Sequence, residues 1–249
     1  MKTTAIIVAA CMLFAGAHAS AQDPDPTRLL PTPGEQPAPM QGEWMACPEG
    51  SQFSQVPHEP ADAWSAHTSD LHLGPYTVYE NFSGLAAPVT AVHFWGLTLF
   101  FDGGWSVCDT EDPMEFEICF YQDNAGEPGS PVSCETVTVP RQSTGLSFIG
   151  FPLYYFRAEL SGAVNLAGGW ISIRGTSLGS PDCAFSWMSS GTGDGKSFQL
   201  AGGALAPLSY DKSICLESGE VKVPLANWAV YLGMALALGF LLLLFRRMF

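Results

Sequence analysis

The chain has 249 residues, 12% of them aromatic, and carries 24 acidic against 10 basic side chains for a formal charge of -14. That excess of negative charge argues against nucleic acid and anionic lipid headgroups as electrostatic partners. With 26 glycines and few amphipathic helical runs, the composition points to an all-β domain rich in turns.

Residues 1–21 read as a signal peptide. Lys2 makes the start positive, Ala5 to Ala17 is apolar but too short to span a bilayer, and Ala17-His18-Ala19 or Ala19-Ser20-Ala21 supplies the small-residue cleavage pattern. Residues 22–43 hold six prolines among 22 residues, the composition of an extended lead with no core of its own. Residues 44–217 are enough for one core. Residues 218–223 form a short tether, 224–245 a membrane helix, and 246–249 a basic tail. Leu225 to Phe245 is 21 residues whose only strongly polar side chain is Asn227, and a helix of that length spans roughly 31 Å, the thickness of a bilayer's hydrocarbon core. Trp228 and Tyr231 suit the outer interface and Arg246 with Arg247 the cytoplasmic one, so the domain is expected outside the cytoplasm.

Within the domain, strands are expected at Thr77–Phe82, Val89–Phe101, Phe116–Gln122, Val132–Val139, Tyr154–Leu160, Trp170–Arg174, Cys183–Met188, Ser197–Ala201 and Ser209–Leu216. Gly96 reads as a bulge or bend inside the second of these. Period-2 alternation between turn residues indicates two antiparallel sheets packed face to face, a β-sandwich of jelly-roll type with a single C-terminal transmembrane helix.

Once Cys11 leaves with the signal peptide, six cysteines remain, an even number that in an exported chain implies three disulfides. Asp123 to Gly129 is a turn signal between two strand-like runs. If Asp123 faces Ser130, Cys119 falls opposite Cys134, on the face away from Phe116, Ile118 and Phe120. The remaining assignment, made from chain position alone, is Cys47 with Cys215, tying the ends of the domain, and Cys108 with Cys183.

The candidate chemistry is sparse. Glu115 and Glu117 lie on one strand face with Asp109 in the preceding loop. Paired carboxylates of this kind bind calcium with backbone oxygens or perform glycosidase acid/base work, and the competing reading is a solvated acidic face. Calcium is the one cofactor to weigh, through Asp109, Glu115 and Glu117; otherwise none is expected. His67-Thr68-Ser69-Asp70-Leu71-His72 gathers two imidazoles and a carboxylate at spacings that suit neither helix nor strand coordination, and reads as a polar loop. Gly191 to Gly195 is glycine-rich but lacks a phosphate-loop lysine and reads as a turn. Trp105 and Trp170 are candidates for exposed rings that stack on sugars, Trp170 sharing a face with Ser172 and Arg174. Trp95 and Trp187 read as core.

The C-terminal segment resembles the PEP-CTERM/IPTL-CTERM class of bacterial sorting signals through Val223-Pro224, Trp228, an apolar helix containing Gly233 and Gly239, and Arg246-Arg247. It carries Leu225-Ala226-Asn227 where that class commonly has a Glu-Pro or Thr-Leu-Ser-Glu element. The resemblance implies recognition by an exosortase-type transpeptidase, cleavage near Val223-Pro224 and transfer to the cell surface. Through Phe94-Trp95-Gly96 and Phe120 to Gly129 the domain is similar to secreted bacterial β-sandwich domains, a likeness that implies no particular activity. The functional expectation is a non-enzymatic, envelope-anchored or surface-displayed domain with a binding or matrix-structural role. The alternatives are a carbohydrate-binding module with a polysaccharide partner and, behind it, a secreted glycoside hydrolase.

Overall fold

The computed structural model describes residues 28–29, 45–58, 65–176 and 183–219. The expected signal peptide, the expected C-terminal helix and the residues expected to form a sorting signal, Val223, Pro224, Trp228, Arg246 and Arg247, lie outside the described residues, as does almost all of the proline-rich lead.

The described chain is built of β-strands without an α-helix. In chain order the first eight are β1 (Arg28–Leu29), β2 (Ser51–Gln55), β3 (Ala66–Thr68), β4 (Thr77–Ser83), β5 (Val89–Phe101), β6 (Trp105–Val107), β7 (Met114–Asn124) and β8 (Glu127–Val139). Seven follow: β9 (Gln142–Phe148), β10 (Phe151–Val164), β11 (Gly168–Gly175), β12 (Ala184–Met188), β13 (Ser197–Ala201), β14 (Ala204–Leu208) and β15 (Ile214–Glu217). They form two antiparallel sheets. One has nine strands, with the path β1-β3-β12-β5-β10-β9 and with β15, β2 and β6 attached beside it; the other has six, in the order β14-β13-β4-β11-β7-β8.

The sheets face each other across one apolar core, where Phe94 and Phe156 of the first meet Phe116 of the second with ring centroids 5.1 Å apart. Alternation explains which side chains enter it. Phe116, Ile118 and Phe120 point inward from β7, Ile171 and Ile173 from β11, and Phe156 with Ala158 from β10. Strand β5 is apolar along nearly its whole length because both its faces are covered. Phe94 joins the shared core, while Trp95, Leu97 and Leu99 pack outward with Leu153, Tyr155, Phe148 and Met188 in a second cluster.

Gly96 is neither a bulge nor a bend: it pairs in regular register with Tyr154 and Trp187. A Cβ there would meet the Phe185 ring at 2.2 Å, so the glycine makes room for a core phenylalanine. The irregularity in this strand pair lies between Glu159 and Val164 of β10 instead. Of the expected strand over Ser209–Leu216 only the last three residues are strand, in β15 from Ile214; β14 ends before it at Leu208.

Three disulfides close the domain: Cys47–Cys215, Cys108–Cys183 and Cys119–Cys134. The β7–β8 hairpin reaches its cysteine register by a different turn from the expected one. Asn124 faces Glu127 and Asp123 faces Pro128 around Ala125-Gly126, and two register shifts between Phe120 and Asp123 bring Cys119 opposite Cys134. Ala125 and Gly126 both adopt positive φ, the conformation a two-residue hairpin turn demands.

One flank of the interior is polar. Glu80 shares the inward face of β4 with Val78 and Phe82 and is fully buried, near an equally buried Lys212 whose Nζ lies 3.0 Å from His67 Nδ1. His67 is thus a strand residue of β3, and Asp70 is a buried carboxylate that accepts the backbone N–H groups of His72, Leu73 and Phe185. The segment read as a polar loop is an internal brace.

Candidate functional site

The outer face of the six-stranded sheet collects the most chemistry. Strand register sets a transverse row: Phe198 of β13 faces Tyr79 of β4, Tyr79 faces Ser172 of β11, Ser172 faces Cys119 of β7, and Cys119 faces Cys134 of β8. One step along the strands, Asn81, Trp170 and Tyr121 form a second row. On the other side of the first row, Arg174 pairs with Glu117.

The rings of this face touch one another. Tyr79 and Tyr121 meet edge to face at 5.4 Å between centroids, and Trp170 tilts against Phe198 at 5.3 Å. Tyr121 Oη lies 3.1 Å from Ser172 Oγ. Burial holds the Tyr79 phenol up at about 12, with the neighbouring Tyr121 adding to the effect, and burial raises Tyr121 as well. Both hydroxyls therefore stay neutral, each a donor and an acceptor, at any physiological pH.

Charges at this face are paired. Arg174 Nη2 donates to Glu117 Oε1 at 2.6 Å, and its other terminal nitrogen lies 3.5 Å from Thr77 Oγ1. Trp170 Nε1 donates to Asp123 Oδ1 and Asn81 Nδ2 to Asp194 Oδ2, both at 2.9 Å. Asp123 and Asp194 stand exposed at the hairpin and loop that border the face.

Trp170 lies on the expected face beside Ser172 and Arg174, but it is not an open platform. Only 1% of it is exposed, because Phe198 crosses its ring and Asp123 anchors its indole N–H. Trp105 belongs to the other sheet, half-buried on β6 with its ring edge-on to Phe101 at 5.2 Å. Asp109, Glu115 and Glu117 do not come together as metal ligands. Glu115 accepts from Thr176 Oγ1, Glu117 is taken by Arg174, and Asp109 offers its backbone carbonyl to Arg141. Among the described residues no group of three metal-binding side chains exists.

Sequence reasoning missed Tyr79, Tyr121, Asn81, Asp194 and Phe198. The odd-numbered positions of β4, Thr77, Tyr79 and Asn81, were a legible signal for an outward row opposite Val78 and Phe82; Phe198 has no local signal, since its position depends on which strand β13 pairs with.

A second constellation sits on the opposite sheet. His93 Nδ1 lies 2.5 Å from Tyr155 Oη and its Nε2 lies 2.8 Å from Glu217 Oε2, with an Arg157 nitrogen 3.6 Å from the same oxygen. Burial lowers the His93 pKa, with Glu217 opposing. The neutral ring then donates from Nε2 to Glu217 and accepts the Tyr155 proton, a tautomer inferred from its partners. With Tyr155 only 3% exposed, no substrate reaches this phenol, and the arrangement works as a brace between β5, β10 and β15.

No protein-family model, curated protein or solved structure matches the chain.

Proposed function

We propose that this chain is an exported protein of the bacterial cell envelope whose β-sandwich, of jelly-roll type, has a non-enzymatic binding or matrix-structural role. The observation that carries this reading is the pairing of all six cysteines beyond Cys11 into disulfides, chemistry that belongs to an oxidising compartment. The signal-peptide pattern at the start of the sequence and the apolar run followed by Arg246-Arg247 near its end point the same way. The likeness of Val223-Pro224 and Trp228 to a sorting signal adds an exosortase-type processing enzyme as a partner. Glu115 and Glu117, the carboxylates a glycoside hydrolase would use, are engaged by Thr176 and Arg174, which favours a non-enzymatic reading over a hydrolase.

A second reading, a carbohydrate-binding module, is favoured by the cluster of Tyr79, Tyr121, Trp170 and Phe198 on one sheet face.

The test is the intact mass of the protein purified from its native cells, before and after reduction and alkylation. A chain starting near Ser20, gaining six alkyl groups only after reduction, and ending near Val223 with an added group supports the sorted form. Retention of Phe249 removes the sorting step and leaves a permanent anchor. A retained Met1, or thiols that alkylate without reduction, overturns export.

A further inference from the structure

We infer that the outer face of the six-stranded sheet is a binding site for an uncharged glycan, laid across the strands over Tyr79, Tyr121 and Phe198. This rests on the carbohydrate-binding reading and moves its site away from Trp105 and from the ring of Trp170.

Three observations carry it. First, Trp170 and Ser172 at the centre of this face are each 1% exposed, and neighbouring rings supply part of their cover: Phe198 crosses Trp170 and Tyr121 Oη lies 3.1 Å from Ser172 Oγ. Tyr79, Tyr121 and Phe198 are themselves half-buried, so their outer parts are what the face presents. From Phe198 to Cys119 the row crosses three strand spacings, about 14 Å, the span of a short oligosaccharide.

Second, the groups match the two surfaces of a sugar. The C–H faces of a pyranose suit the electron-rich faces of aromatic rings, and its hydroxyls need donors and acceptors held at fixed positions around them. Here the neutral phenols of Tyr79 and Tyr121 supply both, and the carboxylates of Asp123 and Asp194 keep acceptor capacity beyond their present bonds.

Third, the charge selects against polyanions. The cation at the centre of the face, Arg174, is matched by Glu117, Lys196 at the border lies beside Asp194, and the whole chain carries -14. An acidic polysaccharide would meet the exposed carboxylate of Asp123 at the border of the face. A protein partner fits less well, because of the large apolar side chains exposed among the described residues only Val132 and Leu205 belong to this sheet, on its two opposite edge strands β8 and β14.

The experiment is affinity electrophoresis of the full chain in detergent through gels containing hydroxyethylcellulose, β-1,3-glucan, xylan or galactomannan, with polygalacturonate as the anionic comparison. Retardation by at least one neutral polymer and not by polygalacturonate is expected. Tyr79→Ala and Tyr121→Ala should weaken that retardation tenfold or more, and Trp105→Ala should leave it unchanged. Asn81→Ala, which removes one hydrogen bond at the border of this face, provides a milder variant should the tyrosine changes prevent folding, and should weaken retardation several-fold. Retardation that survives all three face variants, or that disappears with Trp105→Ala alone, overturns this site while leaving a carbohydrate module standing. Passage unretarded through every neutral gel, or equal retardation by polygalacturonate, overturns the uncharged-glycan inference, and no retardation by any polymer removes the carbohydrate reading with it. The envelope reading is decided separately by the mass measurement.

Discussion

Glu80 and Lys212 meet inside the domain through the main chain: the Lys212 backbone N–H donates to Glu80 Oε2 at 2.8 Å, while Glu80 Oε1 has no partner among the described residues. Burial raises the Glu80 pKa well above the ordinary carboxylate value, Asp211 reinforces the rise, and the Lys212 amide, the Lys212 charge and Gln55 oppose it. The carboxyl is thus held in its proton-bound form to higher pH in the folded protein than in the unfolded chain.

The sign of the pH dependence follows. Below about pH 4.5 both states are protonated and the contribution of Glu80 is fully present; above that the unfolded chain ionises first, and stability falls as pH rises toward the folded pKa. Glu80→Gln keeps the acceptor for the Lys212 amide and removes the titration. Its stability relative to the native chain should therefore increase as pH rises from about 5 to 8, by at most about 1.4 kcal/mol per pH unit. Urea midpoints measured across that range provide the check, and a pH-independent difference would mean that Glu80 is ionised in the fold.

His93 gives stability the opposite pH slope. Its pKa is lowered by burial from 6.5, so the unfolded chain binds a proton before the folded one does. The contribution of neutral His93 is complete above pH 6.5 and is lost as pH falls below it. His93→Gln, which can donate to one neighbour and accept from the other, should be less stable at pH 8 by about 1–3 kcal/mol through imperfect bonding to Tyr155 and Glu217, and the gap should narrow at pH 5. Thermal unfolding at the two pH values checks this; a gap that widens at pH 5 would place a proton on His93 in the native state.

Gly96 shows how a packing constraint hides in sequence. An added Cβ would lie 2.2 Å from Phe185 Cε2 and 2.6 Å from the Ser186 carbonyl oxygen, in the middle of the strand that pairs with β10 and β12. Gly96→Ala should cost about 1–3 kcal/mol from overpacking. Combining it with Phe185→Leu should give a total smaller than the sum of the two single changes, because one lesion makes room for the other. Denaturant midpoints of the four chains test it, and strict additivity would show that the two sites do not share space.

Much of this architecture is legible in the sequence because burial on a strand has period 2. Val89–Phe101 and Ser197–Ala201 occur with the expected bounds, and Tyr154, Phe156 and Ala158 point to the shared core as their alternation requires. The short strands Ser51–Gln55, Ala66–Thr68 and Trp105–Val107 carry too few alternations to stand out, and the pairing partners of the first two are remote in sequence. The candidate site divides along the same line. Trp170, Ser172 and Arg174 share a face by local periodicity, but Tyr79 and Phe198 arrive beside them through strand pairings that no local signal encodes. The burial of Trp170 on an outward face is likewise a property of its cross-strand neighbours.

Access distinguishes the three disulfides. Cys134 is exposed, whereas Cys108 and Cys183 are each 1% exposed and Cys215 is fully buried behind a half-buried Cys47. Attack by a thiolate requires reach to a sulfur, so the Cys119–Cys134 bridge should open first under a limiting concentration of a small thiol. Its removal should also matter least. It closes a separation of 15 residues already held by the β7–β8 ladder, while Cys47–Cys215 closes 168, and in the chain-entropy account such loops are worth about 3 and about 5 kcal/mol. Partial reduction followed by alkylation and peptide mapping should find Cys119 and Cys134 labelled before any other pair. The double change of Cys119 and Cys134 to serine should lower the urea midpoint less than the same change at Cys47 and Cys215. Early labelling of Cys108 or Cys183 would mean that the core opens before its surface staple does.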